Sequence, residues 1–205
     1  MAWGKGAIIW CEDGSASMSG QKEMWAKAIG LCFLHYARTD GRAFHAIHFG
    51  SRTQLVSFDF VRPEDFTPER ILDFAETFLA GGTDFEAPLT AAVIHMQNEE
   101  DRTGRVNGDV VLCTDGQCGV RPDWLKDFKY EQNRLGFAVW GVTIGGSKAD
   151  EPLAAIADSY VTSVEDLTDA GDVADLLDLL WGTQRDLTAT VQLASEKRYV
   201  SELTL

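Results

Sequence analysis

A chain of 205 residues, 45% hydrophobic and 24% charged, has the composition of one globular domain with a substantial core, not of a disordered or membrane-spanning chain. Its formal net charge of −14 argues against nucleic acid and anionic membranes as partners, because phosphate binding needs a basic face and the Lys and Arg here form no cluster. No run of about 18 uncharged apolar residues occurs, and "MAWGKGAIIW" lacks the apolar region and cleavage site of a signal peptide, so a cytoplasmic location is expected.

In chain order, "GAIIWC" is an apolar run of strand length, followed by a glycine-flanked loop and then by "QKEMWAKAIGLCFLHYAR". That stretch, Gln21 to Arg38, is long, free of proline and apolar on more than one side, as a helix packed on a sheet should be. "RAFHAIHFGSRTQLVSFDF" reads as two strands joined at Gly50 and Ser51, with Phe44, Ala46 and His48 on one face and His45, Ile47 and Phe49 on the other. Thr67 followed by Pro68 and Glu69 is an N-cap with proline at the first helical position, opening a helix that the pair Gly81 and Gly82 is expected to end. A further helix spans roughly Phe85 to Gln97, with Leu89, Val93 and Met96 at helical spacing.

"GDVVLCTDG" is a fully apolar strand ending at Thr114 and Asp115. The alternation then repeats: a helix from Pro122 to about Asn133, a strand in "GFAVWGVTIG", a short helix in "PLAAIAD", a last strand in "SYVTSV", and a closing helix in "DVADLLDLLW". Continuous apolar strands between helices imply an α/β fold, a doubly wound and mostly parallel central sheet with one antiparallel edge strand and helices on both faces. One domain over residues 1–182 is expected. Residues 183–205 form a tail in which "LTATVQLAS" alternates like an edge strand, or else docks or moves freely.

The four cysteines sit in apolar contexts, and Cys113 and Cys118 lack a second pair, so buried reduced thiols are expected. Nine acidic and no basic residues fall between Lys148 and Arg185, a solvated acidic face or a dock for a basic partner.

Ligands of an open parallel sheet bind at the carboxyl ends of the strands, where strand order reverses. If "GAIIWC" and "GDVVLCT" are central neighbours, Asp13 and Asp115 share one rim. The loop "AGGTDFEAPL" brings Thr83 toward the same rim, and Ser15 and Ser17 follow Asp13 at alternate positions. Asp13, Ser15, Ser17, Thr83 and Asp115 are then a set of oxygen donors with no thiol or imidazole, which suits a hard dication: Mg2+ first, Mn2+ or Ca2+ as alternatives. Three hydroxyls fill positions without cancelling charge, so such an ion keeps the capacity to take an outside carboxylate.

These elements resemble the metal-ion-dependent adhesion site of von Willebrand factor A domains: D-x-S-x-S at Asp13, Ser15 and Ser17, a glycine-rich threonine loop at Thr83, and "TDG" at Asp115. The likeness spans roughly residues 6 to 182. "CEDGSASM", the helix "WAKAIGLCFLHYAR", "HFGS" and "GGTD" are similar to the corresponding domain of the ViaA and CoxE-like proteins. The resemblance implies a non-enzymatic protein-binding module whose metal accepts an Asp or Glu from a partner, and which acts with a MoxR-type AAA+ ATPase. Ala16 stands where that family commonly has glycine, which removes no donor.

Asp84 is read as either an acceptor orienting a metal ligand or an ordinary helix cap. Gln117 and Trp124, just beyond Asp115, are candidate partner contacts. His45 and His48, three apart on a strand, point to opposite faces and cannot share a metal. His35 and His95 lie on helices with no matching partner in sequence. An alternative function is a Mg-dependent phosphoesterase on a Rossmann-like sheet. Against it, Ser15 replaces the second aspartate of D-x-D, and "GSASMSG" does not fit G-x-S-x-G.

Overall fold

Among the described residues six strands make one sheet in the order β3-β2-β1-β4-β5-β6, and they come from alternating strand and helix along the chain. In this computed structural model the described residues are 6–104, 106, 108–116, 118–145, 151–157 and 161–164. The strands are β1 (Ile8–Asp13), β2 (Phe44–Phe49), β3 (Leu55–Phe60), β4 (Asp109–Thr114), β5 (Ala138–Ile144) and β6 (Val161–Val164). The helices are α1 (Gln21–Asp40), α2 (Pro68–Glu76), α3 (Glu86–Thr103), α4 (Pro122–Leu135) and α5 (Glu151–Ala157). All neighbouring strands pair in parallel except β2 with β3, the antiparallel edge. The closing helix expected at "DVADLLDLLW", the acidic run beyond Val164, the domain boundary at 182 and the tail 183–205 lie outside the described residues.

The period-2 geometry of the strands divides the core into two layers. Ile8, Trp10, Phe44, Ala46, Val111, Cys113 and Val142 face α1 and Phe74 of α2. Ile9, Cys11, Ile47, Phe49, Val110, Leu112 and Val139 face residues of α3, α4 and α5. Apolar residues at both parities explain the continuous apolar runs in sequence: β1, β2 and β4 are buried along their whole length. Gly30 of α1 lets the helix approach the sheet closely, since a Cβ there would sit 2.8 Å from Trp10 Nε1 and 2.9 Å from Phe74 Cζ.

Local signals hold at most helix ends. Thr67 caps α2, its hydroxyl accepting from Arg70 N at 3.3 Å. Gly41, Gly104 and Gly136 close α1, α3 and α4 in the left-handed conformation. The strands of the hairpin are joined by residues 50–54, a longer turn than Gly50 and Ser51 alone.

Three expectations are corrected. α2 stops at Glu76, ahead of Gly81: Thr77 leaves the helical region at ψ 124, and Phe78 turns into the core beside α1. α3 runs on to Thr103, because the extension buries its own Glu99 and Gly104 supplies the stop. Cys11 and Cys113 are buried, but Cys32 is exposed and Cys118 half-buried; all four are free thiols.

Candidate metal centre

Strand order reverses between β1 and β4, whose carboxyl ends lie side by side. β1 extends through Asp13, so this carboxylate is the last residue of a buried strand, 1% exposed, instead of the first of a loop. Gly14 follows, donating to Phe49 O at 2.6 Å, and a single 3-10 turn over Ala16–Met18 carries the chain to α1 with Met18 plugged into the core. Asp13 Oδ1 accepts from the backbone N–H of Ser15 at 2.8 Å, which fixes the turn on the carboxylate. Ser15 and Ser17 hydroxyls stand 3.1 Å apart, and Ser17 Oγ donates to Asp115 Oδ1 at 2.8 Å across 98 residues of sequence.

The Thr83 loop is tied to the same turn through the backbone. Ser15 and Gly81 form an isolated parallel bridge, with Ala16 N–H donating to Gly81 O at 2.9 Å. From the other side Ser51 Oγ accepts from Gly82 N–H at 3.0 Å, and any side chain at Gly81 would collide with the Gln54 amide. The two glycines therefore let this loop lie between the first turn and the β2–β3 hairpin. Ala80, at φ 51, is the non-glycine residue with a left-handed backbone among those described.

Gly116 closes the ring. A Cβ built on it would lie 3.4 Å from Thr83 Oγ1 and 3.8 Å from Asp13 Oδ2, so all three loops meet at this backbone position. Asp13, Ser15, Ser17, Thr83 and Asp115 thus come together at one rim. Asp84 caps the start of α3, its Oδ1 accepting from Ala87 N–H at 2.9 Å. Trp124 is half-buried on α4, stacked on Phe128 at 5.1 Å and donating to Thr90 Oγ1 at 3.0 Å; it edges a cavity of about 220 Å³ between α3 and α4. Gln117 lies outside the described residues.

Two members of the rim escape sequence reasoning. Thr114 Oγ1 donates to Asp13 Oδ2 at 2.5 Å and accepts from Gly116 N–H at 3.0 Å, so it holds both the carboxylate and the loop. Lys22 Nζ donates to Asp115 Oδ2 at 2.5 Å. A lysine in the first turn of a helix opposes the helix dipole, and that mismatch is the signal that marks it. Burial pushes the Asp13 carboxyl upward from its ordinary range, against the hydrogen bonds from Thr114 and Ser15 that favour the anion. A buried carboxylate with a second one nearby and only hydroxyls between them is a donor set that suits a hard cation. The ammonium of Lys22 already marks the spot as one that takes positive charge.

The third loop is held from outside. Arg121 grips Glu86 with its side chain at 2.7 and 2.8 Å and with its backbone N–H at 2.7 Å, joining the start of α4 to that of α3. That ion pair keeps the Glu86 carboxyl below its ordinary range.

Among solved structures, von Willebrand factor type A from Catenulispora acidiphila superposes over 88% of this chain and 42% of its own, with a TM-score of 0.63 at 18% identity. The chain has a von Willebrand factor A fold. The A-type fold is also shared with proximal thread matrix protein 1 of the mussel byssus, with its adhesion-site motif occupied by zinc, over 87% of this chain and 48% of that one, at TM-score 0.58 and 20% identity. BatB of Bacteroides thetaiotaomicron matches over 84% of this chain and 96% of its own, at TM-score 0.58 and 15% identity. No family model matches the sequence. Two uncharacterized proteins of Methanocaldococcus jannaschii are each 32% identical, over 78% and 80% of this chain. The regulatory protein ViaA of Proteus mirabilis is 32% identical over 85 residues, 42% of this chain. The chain spans 38%, 36% and 17% of the length of these three relatives. No helix among the described residues is long and apolar enough to cross a membrane.

Proposed function

We propose that this A-type domain is a non-enzymatic, metal-dependent protein-binding module working in the cytoplasm. Mg2+ would be held by Asp13, Ser15, Ser17, Thr83 and Asp115, with Mn2+ or Ca2+ as substitutes. The observation that carries this reading is the meeting of three loops at Gly116, with Asp13 and Thr83 oxygens both within 3.8 Å of the position its Cβ would take. A bound dication supplies an electrophilic centre that two carboxylates do not fully quench, and a partner's Asp or Glu side chain is the ligand it would take. Trp124, at the start of α4, would edge the partner surface.

A purely binding role fits what the potential general bases do. His45 and His95 engage Asp59, His48 is enclosed by Phe58 and Phe74, and His35 packs edge-on to Tyr36 on α1. The ViaA likeness supports a regulatory role, and the partner we propose is a MoxR-type AAA+ ATPase.

Isothermal titration tests the metal: Asp13→Ala should abolish Mg2+ binding, and parent-like affinity would refute the assignment. Pull-down with a MoxR-type ATPase tests the partner. Capture should fail in EDTA and in Asp13→Ala; capture indifferent to both sinks the adaptor reading. Turnover of an aryl phosphate that depends on Mg2+ and Asp13 would favour the phosphoesterase instead.

A further inference from the structure

His95, which lacks a partner in sequence, has one in space. It projects from α3 onto the β2–β3 edge, where its ring lies 4.2 Å from that of His45. Asp59 stands directly opposite His45 in the antiparallel register. His45 Nδ1–H donates to Asp59 Oδ1 at 2.6 Å, and His95 Nδ1 lies 3.7 Å from the same oxygen. One ligand atom from each of the three falls within 4.8 Å of the others. We propose that His45, Asp59 and His95 form a second metal site, separate from the hydroxyl-rich rim, that takes Zn2+.

The donor chemistry separates the two sites. Two imidazoles and one carboxylate suit a borderline transition ion, and the same set holds zinc with one position left open. The rim offers oxygen alone and suits a hard ion. The separation is also spatial: His45 lies four residues before the end of β2, about 13 Å back from the rim at 3.3 Å per residue. This inference therefore stands or falls independently of the proposed function.

The geometry is close to what zinc needs. Bonds of about 2.0–2.1 Å in a tetrahedron put ligand atoms ~3.3 Å apart, so closure asks for movements of about 1.5 Å or less from side chains on three different elements. A cavity of about 240 Å³, lined by the triad with Val61, Asn98, Glu99 and Arg102, leaves room for a fourth ligand. Glu99 is not a competing donor, because Arg102 holds it with bonds of 2.7, 2.8 and 3.1 Å.

The protonation states also agree. Burial, with His45 beside it, pushes His95 down to about 4, so its lone pair is available at neutral pH. The hydrogen bond from His45 keeps the Asp59 carboxyl below its ordinary range and therefore anionic. A dication can therefore bind His95 without displacing a proton from it, and the Asp59 carboxylate offsets part of its charge.

The test uses the full chain carrying Asp13→Ala, Cys32→Ser and Cys118→Ser, so that neither the rim nor accessible thiols compete. Titration with ZnCl2 should give one equivalent bound, with the imidazole proton resonances of His45 and His95 shifting together. His95→Gln and Asp59→Asn, both at partly exposed positions, should each weaken binding at least tenfold while leaving the metal-free circular dichroism unchanged. Co2+ should report the same site through visible ligand-field bands that His95→Gln removes. Zinc binding that is absent from the triple variant, or that survives His95→Gln and Asp59→Asn at parent affinity, would overturn the proposal.

Discussion

Lys22 Nζ lies 2.5 Å from Asp115 Oδ2, while Ser17 Oγ lies 2.8 Å from Asp115 Oδ1, so one carboxylate is shared between an ammonium and a hydroxyl of the same loop-helix junction. Lys22 is one-third exposed and its stem runs beside Gly145, whose Cβ would lie 3.0 Å from Lys22 Cε. The ammonium supplies positive charge to the rim from within the chain. A dication arriving at Asp115 must work against that charge or push it outward. Lys22→Met keeps the stem and removes the charge, and should tighten Mg2+ binding about tenfold, equivalent to ~1.4 kcal/mol. Isothermal titration at low salt reads the change. Unaltered or weaker binding would mean that Lys22 supports the site instead of competing for it.

Thr114 is fully buried, and its one hydroxyl both donates to Asp13 and accepts from the Gly116 backbone. Thr114→Val keeps the shape and removes both bonds. Groups that orient a metal ligand typically matter about 10–100-fold in affinity, so Mg2+ binding should weaken by about that range. Thr114→Ser should restore it, since the hydroxyl returns without the methyl. A Val variant that binds like the parent would place Thr114 in the fold alone.

The alternation of strands and helices was legible because both parities of β1, β2 and β4 are apolar, and because Thr67, Pro68 and the terminal glycines mark helix ends in familiar ways. The convergence of Asp13, Ser15, Ser17, Thr83 and Asp115 on one rim was legible for a similar reason: strand ends and loop glycines are local features. What stayed hidden depends on register. Thr114 matters because β1 and β4 pair so that Glu12 lies opposite Cys113, which sets Thr114 beside Asp13. His95 reads as a solitary helical histidine until α3 is laid across β2 and β3. The end of α2 was misplaced because Phe78 is drawn into the core from a segment with ordinary helix formers around it. Tertiary burial there outweighs propensity.

Gly30 tests how tightly α1 is seated on β1. Its virtual Cβ meets two fully buried rings, and Trp10 is further fixed by donating to Glu12 Oε2 at 2.9 Å. Gly30→Ala gains about 1 kcal/mol in helix propensity but overpacks the core at a typical cost of ~1–3 kcal/mol. Net destabilisation of about 1 kcal/mol is expected in urea unfolding. A variant more stable than the parent would show that the helix has slack against the sheet.

Acid should act on the fold through buried groups that titrate far from their ordinary range. Burial, with a smaller contribution from Lys27, pushes His48 down to about 3; its ring is wedged between Phe58 and Phe74, with Glu12 Oε1 3.8 Å away. His95, facing His45 and Asp59, is pushed down to about 4. Both titrate near 6.5 in an unfolded chain, so between that value and their folded values the unfolded state binds more protons. The histidines' contribution is therefore fully present above pH 6.5 and is lost as the pH falls, by up to about 2 kcal/mol per histidine between pH 7 and 5, whereas Glu12, pushed by burial up to about 8, binds its proton more readily in the folded state and opposes part of that loss. Urea midpoints at pH 7, 6 and 5, measured in EDTA, should decline less than the two histidines alone would give, because Glu12 offsets part of their loss. His48→Leu, which replaces a ring whose nitrogens make no hydrogen bond with an apolar side chain, should remove roughly half of the histidine contribution and so flatten the slope. His95→Gln should remove much of the remainder. A His48→Leu variant that keeps the parent's slope would show that protons reach these rings without opening the fold.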